Sequence, residues 1–385
     1  MSTSALKTGF SQFLDADPQR LHAAAHSHHP WPDTTYDAQR RAWRDAIILM
    51  DRKWEHVLDT VLPETQRCIA GRLGLSDPAA IVVAPNTHEL VTRILSCLEP
   101  PVRILTTGGE FTSFERQVRR LAEDGLVDVR RVPVAPTDTL SSRLAEAAAG
   151  GDYDLLFFSH VLFESGAVVD LPTVVGAVPD ERPFVVVDGY HGFMAVPTDL
   201  GAIAERAFYL AGGYKYAMSG EGVCFAHCPP GYGPRPRDTG WFADFSALGA
   251  SPESRVGYGD GGQRFMGATF DPTALYRFNA VQRWLDAENV TVDDIHDHVR
   301  RLQHRFLAAL TDARPNALGT RIPVVVPSGR RHHGHLLAFE VPHPAEVVAA
   351  LARRNVVTDH RGSRVRFGFG VYHDDRDIDR LLERL

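Results

Sequence analysis

The apolar pattern of this chain predicts an α/β fold, with a large domain built on a mostly parallel sheet and a smaller C-terminal α/β domain. Five short runs rich in β-branched or aromatic residues, at 81–84, 102–106, 127–134, 155–159 and 184–187, end in polar or glycine-containing segments and are the expected strands. Between them, residues 88–98, 113–123 and 140–149 place apolar side chains at helical spacing, so strand and helix alternate as parallel pairing requires. A composition of 44% hydrophobic and 23% charged residues over 385 positions supplies two or three cores.

Ahead of that alternation, residues 34–61 are helical in pattern, bounded by Pro30, Pro32 and Pro63, and a second helix is expected over 64–73. Residues 1–75 therefore read as an N-terminal helical arm and 76–270 as the large domain. The stretch 230–262 is rich in glycine, proline and charge, the composition of a long functional loop. Residues 271–385 form the smaller domain: a long helical region over 273–313, apolar runs at 322–326, 336–341, 356–358 and 365–369, and a helix over 344–353.

A net charge of -7 gives no basic footprint for nucleic acid. The first 20 residues are polar and no run of 18 apolar residues follows, so the expectation is a cytoplasmic chain with no membrane span. Four cysteines are too few for a disulfide framework. Cys224 and Cys228 are spaced C-x-x-x-C without a second pair, which favours two thiols at a strand over a zinc site.

In open α/β sheets, ligands bind beyond the carboxyl ends of the strands, so the residues just after each run carry the search for chemistry. Lysine usage is the sharpest signal: only Lys7, Lys53 and Lys215 occur among 41 basic residues, the rest being arginine. A lysine retained at Lys215, within Gly-Gly-Tyr-Lys-Tyr, suits a task that a guanidinium cannot perform, such as forming a Schiff base through a neutral amine. Alone it favours a surface lysine following a strand, so the reading needs partners. Asp188 ends the run Phe-Val-Val-Val-Asp, where a carboxylate is costly to bury without a cationic mate. A protonated pyridine nitrogen is such a mate, so Asp188 and Lys215 together fit pyridoxal 5'-phosphate. The segment Asn86-Thr87-His88 follows a strand and opens a helix, which makes it an anion site for the phosphate or an ordinary helix cap.

Taken in order, Asn86-Thr87-His88-Glu89, Phe111 after the next strand, Asp188-Gly-Tyr-His191 and Tyr214-Lys215-Tyr216 resemble the class V aminotransferase-type, fold-type I pyridoxal-phosphate enzymes. Gly240-Trp241-Phe242, Arg264-Phe265-Met-Gly-Ala-Thr269 and a late Arg366 followed by Tyr372 resemble kynureninase within that group, over about residues 80–375. The resemblance implies that Phe111 stacks on the pyridine ring, Asp188 pairs with its nitrogen and Lys215 carries the Schiff base. It implies phosphate contacts from Thr87 and Tyr214, with Asn86 and His88 beside them, and from Trp241 and Thr269 across a homodimer interface. His191 lines the pocket, and Arg366 clamps the substrate carboxylate through its bidentate fork. Tyr372 is a second candidate substrate contact.

A kynureninase-like reaction moves the α-proton through Lys215, with Tyr214 assisting, adds water to the γ-carbonyl and breaks Cβ–Cγ to release an acid and alanine. Two departures stand out. Where the family opens with a glycine- and asparagine-containing segment, residues 21–31 here read Leu-His-Ala-Ala-Ala-His-Ser-His-His-Pro-Trp, which makes His28 a candidate substrate contact. Leu162 stands where many class V enzymes carry an asparagine. The alternatives are a class V aminotransferase, a decarboxylating or other lyase on a different amino acid, and a non-catalytic dimeric binding protein that keeps the fold. The histidines at 22–29 and at 332, 333 and 335 lack acidic or cysteine neighbours, so no metal is expected.

Overall fold

The structure is a computed structural model that describes residues 4–179, 182–249, 255–312 and 333–385. The expected strand at 322–326 and His332 lie outside those residues.

Seven strands form the large sheet: β1 (Ile81–Ala84), β2 (Val102–Thr107), β3 (Val127–Val132), β4 (Leu155–Ser159), β5 (Phe184–Asp188), β6 (Ala207–Gly212) and β7 (Cys224–His227). They run in the order β1-β7-β6-β5-β4-β2-β3, with β7 antiparallel to both its neighbours and the other pairs parallel. The central strands β4 to β6 are buried on both faces apart from Asp188, which is why they read as unbroken apolar runs. Helices α1 (Thr34–Leu49), α2 (Thr87–Leu95), α3 (Thr112–Glu123) and α4 (Leu140–Ala149) follow the sequence expectation closely.

Two expected helical regions are broken in the structure. Residues 34–61 divide at Met50, whose φ of 48° ends α1 before a 3-10 turn and further helical turns up to Val61. Residues 273–312 divide into α5 (Thr273–Ala287) and α6 (Val292–Asp312) at Asn289, with φ of 53°. Thr291 and Asp294 then cap α6 reciprocally, Asp294 N donating to Thr291 Oγ1 (3.1 Å) and Thr291 N to Asp294 Oδ2 (2.9 Å).

The larger core joins the sheet to the N-terminal arm and α5; α1 lays its small residues Ala38 and Ala42 against that helix. The smaller core gathers Val299, Leu302 and Phe306 of α6 on β8 (Leu336–Glu340) and β10 (Arg364–Gly368), the latter paired on its other edge with β9 (Asp359–Arg361). The arm ties the two together. Leu21 and Ala23 enter the smaller core, and Lys7 pairs with Asp374 and Asp377 at 3.0 and 2.6 Å. Just past the loop over 230–262, buried Arg264 donates back to the carbonyls of Tyr232 (2.8 Å) and Pro229 (3.0 Å), tying the two ends of that loop together.

Candidate active site

The carboxyl ends of the parallel strands open onto one cavity of about 470 Å³. Four strands deliver polar groups to it: β1 is followed by Asn86, Thr87 and His88, β4 ends in Ser159, β5 in Asp188, and β6 leads within three residues to Lys215. Because β7 runs the other way, its first residue, Cys224, reaches the same end and lines the cavity as well. Cys228 lies just past the end of that strand, as expected for two thiols at a strand.

Lys215 is 6% exposed, and its Nζ lies 2.6 Å from His191 Nε2. Burial lowers the amine to about 7, against an opposing pull from Asp188. Burial likewise keeps His191 far below the ordinary histidine range, reinforced by the Lys215 charge, so the imidazole is neutral. The rings of Tyr190, Tyr214 and Phe111 surround the amine at 5.3, 5.5 and 5.6 Å from Nζ. Asp188 Oδ1 accepts from Tyr190 N at 2.9 Å, and burial raises its carboxyl. No ion pair to Asp188 forms among the described residues, so its charge is left for a cationic group inside the cavity.

At the far wall, α2 begins with Asn86 as N-cap, its Oδ1 accepting from Glu89 N at 2.9 Å. Both readings of this segment therefore hold at once: Asn86 caps the helix, and the helix N-terminus with the Thr87 hydroxyl opens into the cavity where an anion is favoured. Two glycines permit the close packing here. A side chain on Gly212 would run into Tyr190 Oη and Cys224 Sγ, and one on Gly189 into the ring of Tyr209. These groups, an amine lowered by burial, a half-buried carboxylate without an ion-pair partner, aromatic faces and a helix N-terminus, are the donor set that pyridoxal phosphate needs.

A profile of the family described as Aminotransferase class-V matches residues 57–381. The chain belongs to that family. Pyridoxal phosphate is the family's cofactor, which agrees with the groups in the cavity. The chain is 30% identical over 221 residues to kynureninase of Burkholderia mallei (strain SAVP1), covering 55% of this chain and 50% of the relative. It is also 30% identical over 176 residues to isopenicillin N epimerase of Streptomyces clavuligerus, covering 44% of each. The aligned part thus spans about half the length of these relatives. Among solved structures, the cystine C–S lyase C-DES bound to its product cysteine persulfide superposes with a TM-score of 0.80 at 19% identity, over 95% of this chain and 97% of that one. A C-DES mutant with glycine covalently linked to its cofactor gives 0.84 at 18% over 98% of each. The cysteine desulfurase CsdA of Escherichia coli gives 0.81 at 15% over 100% of this chain and 97% of that one. These likenesses establish the fold: a fold-type I architecture over the whole chain.

Of the residues singled out by sequence, Asn86, Thr87, His88, Phe111, Asp188, His191, Tyr214 and Lys215 all line the cavity. His28 lies at the surface with its ring 5.5 Å from that of Tyr214. Trp241 Nε1 donates to Thr269 Oγ1 at 3.2 Å, both exposed and outside this cavity. Tyr372 is buried in an aromatic cluster with Phe10, Phe13 and His29, and its hydroxyl donates to His22 O at 2.9 Å. Arg366 lies behind the wall, its Nη1 donating to Phe163 O at 2.6 Å while its fork holds Asp359. Leu162 is buried and does not line the cavity. Among the described residues no group of three metal-ligating side chains occurs, and no helix is long and apolar enough to cross a membrane.

Sequence reasoning missed Ser159, Tyr190, Phe163, Cys224 and Glu110. Glu110 is buried, accepts from Ser159 Oγ at 2.6 Å and is also bonded to Thr107. Burial raises its carboxyl to about 7 against those two hydrogen bonds. Ser159 was open to discovery by the strand-end rule that found Asp188, its register partner across β4 and β5.

Proposed function

We propose that this chain is a pyridoxal-phosphate enzyme that cleaves a kynurenine-type amino acid hydrolytically between Cβ and Cγ, releasing an aromatic acid and alanine. The observation that carries the reading is the 2.6 Å contact between Lys215 Nζ and His191 Nε2, in a cavity also lined by half-buried Asp188 and the N-terminus of α2. The hydrolytic outcome draws its support from the 30% identity to kynureninase.

Pyridoxal phosphate supplies an electron sink that makes the proton on an amino acid's α-carbon acidic. Lys215, with its amine lowered to about 7, has a neutral form within reach near pH 7; it would hold the cofactor through that amine and, once released, would be the base that carries the α-proton. His191 Nε2 sits where it exchanges a proton with the lysine amine. Asp188 would hold the proton on the pyridine nitrogen, and the Phe111, Tyr190 and Tyr214 rings narrow the space left for water around the amine. Tyr214, whose hydroxyl burial pushes up to about 12, stays protonated and acts as a hydrogen-bond donor. Water and substrate in, acid and alanine out, balances the hydrolysis without a further reactant.

Sulfur transfer of the desulfurase kind needs an ionisable thiol near the substrate. Burial raises Cys68 to about 11 and Cys97, Cys224 and Cys228 to about 12, so none is a ready thiolate. A homodimer belongs to the proposal: Trp43 and Ile47 are 70% and 52% exposed on α1, Met50 just past its end is 65% exposed, and the Trp241–Thr269 pair lies exposed, open to a second copy's site. Light scattering at the mass of two chains supports it, and the mass of one contradicts it. The functional test is product analysis with L-kynurenine: equimolar anthranilate and alanine are expected. An oxo acid or the D-isomer instead assigns transamination or epimerisation, and unchanged substrate refutes the kynurenine assignment.

A further inference from the structure

Arg366, on β10, is 3% exposed and its charged face is already taken. Its Nε donates to Asp359 Oδ1 at 2.8 Å and its Nη2 to Asp359 Oδ2 at 2.5 Å, the two-bond fork that any carboxylate ligand would use. The pair lies directly behind the cavity. Nη1 holds the carbonyl of Phe163, a wall residue whose ring meets Phe111 edge-on at 5.5 Å. Each member of the pair also has a hold of its own. Asp359 Oδ1 lies 2.9 Å from Nε2 of fully buried His26, whose Nδ1 has no partner, so the neutral ring carries its proton on Nε2 and donates it to the carboxylate. If the fork is vacated, Asp359 keeps the His26 donor and Arg366 keeps the Phe163 carbonyl, so neither charge is stranded without a partner.

We propose that Asp359 is a specificity-determining residue that occupies the carboxylate seat on Arg366 and is exchanged for the ligand's own carboxylate on binding. The inference rests on the reading of this cavity as an amino-acid site. Swapping one carboxylate for another on the same fork gains little, so affinity has to come from the rest of the ligand. That remainder meets the wall formed by Val161 and Phe163, which favours acids with an aromatic or bulky apolar body over small ones.

Titration calorimetry of the holoenzyme with propionate and with 3-phenylpropionate tests this without turnover. Wild-type protein is expected to bind 3-phenylpropionate and to bind propionate at least tenfold more weakly. Asp359→Asn is expected to tighten propionate binding at least tenfold, and the gain should vanish in the Asp359→Asn, Arg366→Gln double variant. No tightening, or a gain that survives loss of Arg366, overturns the proposal. A second measurement needs no variant: in the ¹⁵N spectrum of wild-type protein the Arg366 Nε–H resonance should move as 3-phenylpropionate binds. Absence of binding, or binding that leaves that resonance in place, also overturns it. Failure of the cofactor reading shows separately, as a missing Schiff-base absorption band before any acid is added.

Discussion

Replacing Lys215 with Met removes the amine while keeping chain length, and it is predicted to stabilise the cofactor-free protein at neutral pH. The amine ionises near 10.5 when exposed and near 7 in the fold, so the unfolded chain binds the proton more tightly. The penalty is therefore full below about pH 7 and disappears as pH rises towards 10.5. Linkage gives a cost of about 4 kcal/mol at pH 7 and about 1 kcal/mol at pH 10. Against this, the variant loses the hydrogen bond to His191, worth about 1 kcal/mol. The net expectation is a variant more stable than wild type by about 3 kcal/mol at pH 7 and matched with it at pH 10. Urea unfolding of the two cofactor-free proteins across that range reads the difference directly. A variant less stable at pH 7, or a gap that does not close with rising pH, refutes the claim that the fold holds a strained, partly neutral lysine.

Other consequences are open to shorter tests. Asp188→Ala should keep the Schiff-base absorption but lower kcat by roughly 10²–10³-fold, the loss typical of removing one charge-stabilising group; unchanged turnover would contradict its pairing with the pyridine nitrogen. Asn86→Ala removes the α2 cap and should cost about 1 kcal/mol of stability in urea while loosening cofactor binding in equilibrium dialysis. Gly212→Ala forces Tyr190 and Cys224 to move and should destabilise by about 1–3 kcal/mol, with reduced cofactor retention on gel filtration; a neutral result would show that the site has slack.

The parts of this fold that were legible in the sequence share a physical cause. Strands buried on both faces, such as β4 and β5, are uniform apolar runs whose ends coincide with the first charged or polar residue, so Ser159 and Asp188 mark their limits. Lys215 stood out because arginine fills almost every other basic position. What escaped depends on direction and register. A strand's sequence does not state which way it runs, so nothing in the run Cys224–His227 shows that its first residue, rather than its last, reaches the cavity. The broken helices turn on single left-handed residues, Met50 and Asn289. Asn289 is a residue type tolerant of that conformation and could have been recognised, whereas Met50 could not. The Asp359–Arg366 pair was within reach: a tight turn at Gly362, φ of 52°, sets Arg361 opposite Arg364 and therefore Asp359 opposite Arg366. That pairing changes the expectation for Arg366, which in this structure holds a carboxylate of its own chain.

The central claim is that Lys215 bonds covalently to pyridoxal phosphate, and borohydride reduction of the reconstituted protein followed by peptide mass mapping tests it most directly. The account predicts a single pyridoxyl adduct, on the peptide containing Lys215 and absent from Lys215→Ala. An adduct on Lys7 or Lys53, or no adduct on a protein that still binds the cofactor, would contradict it.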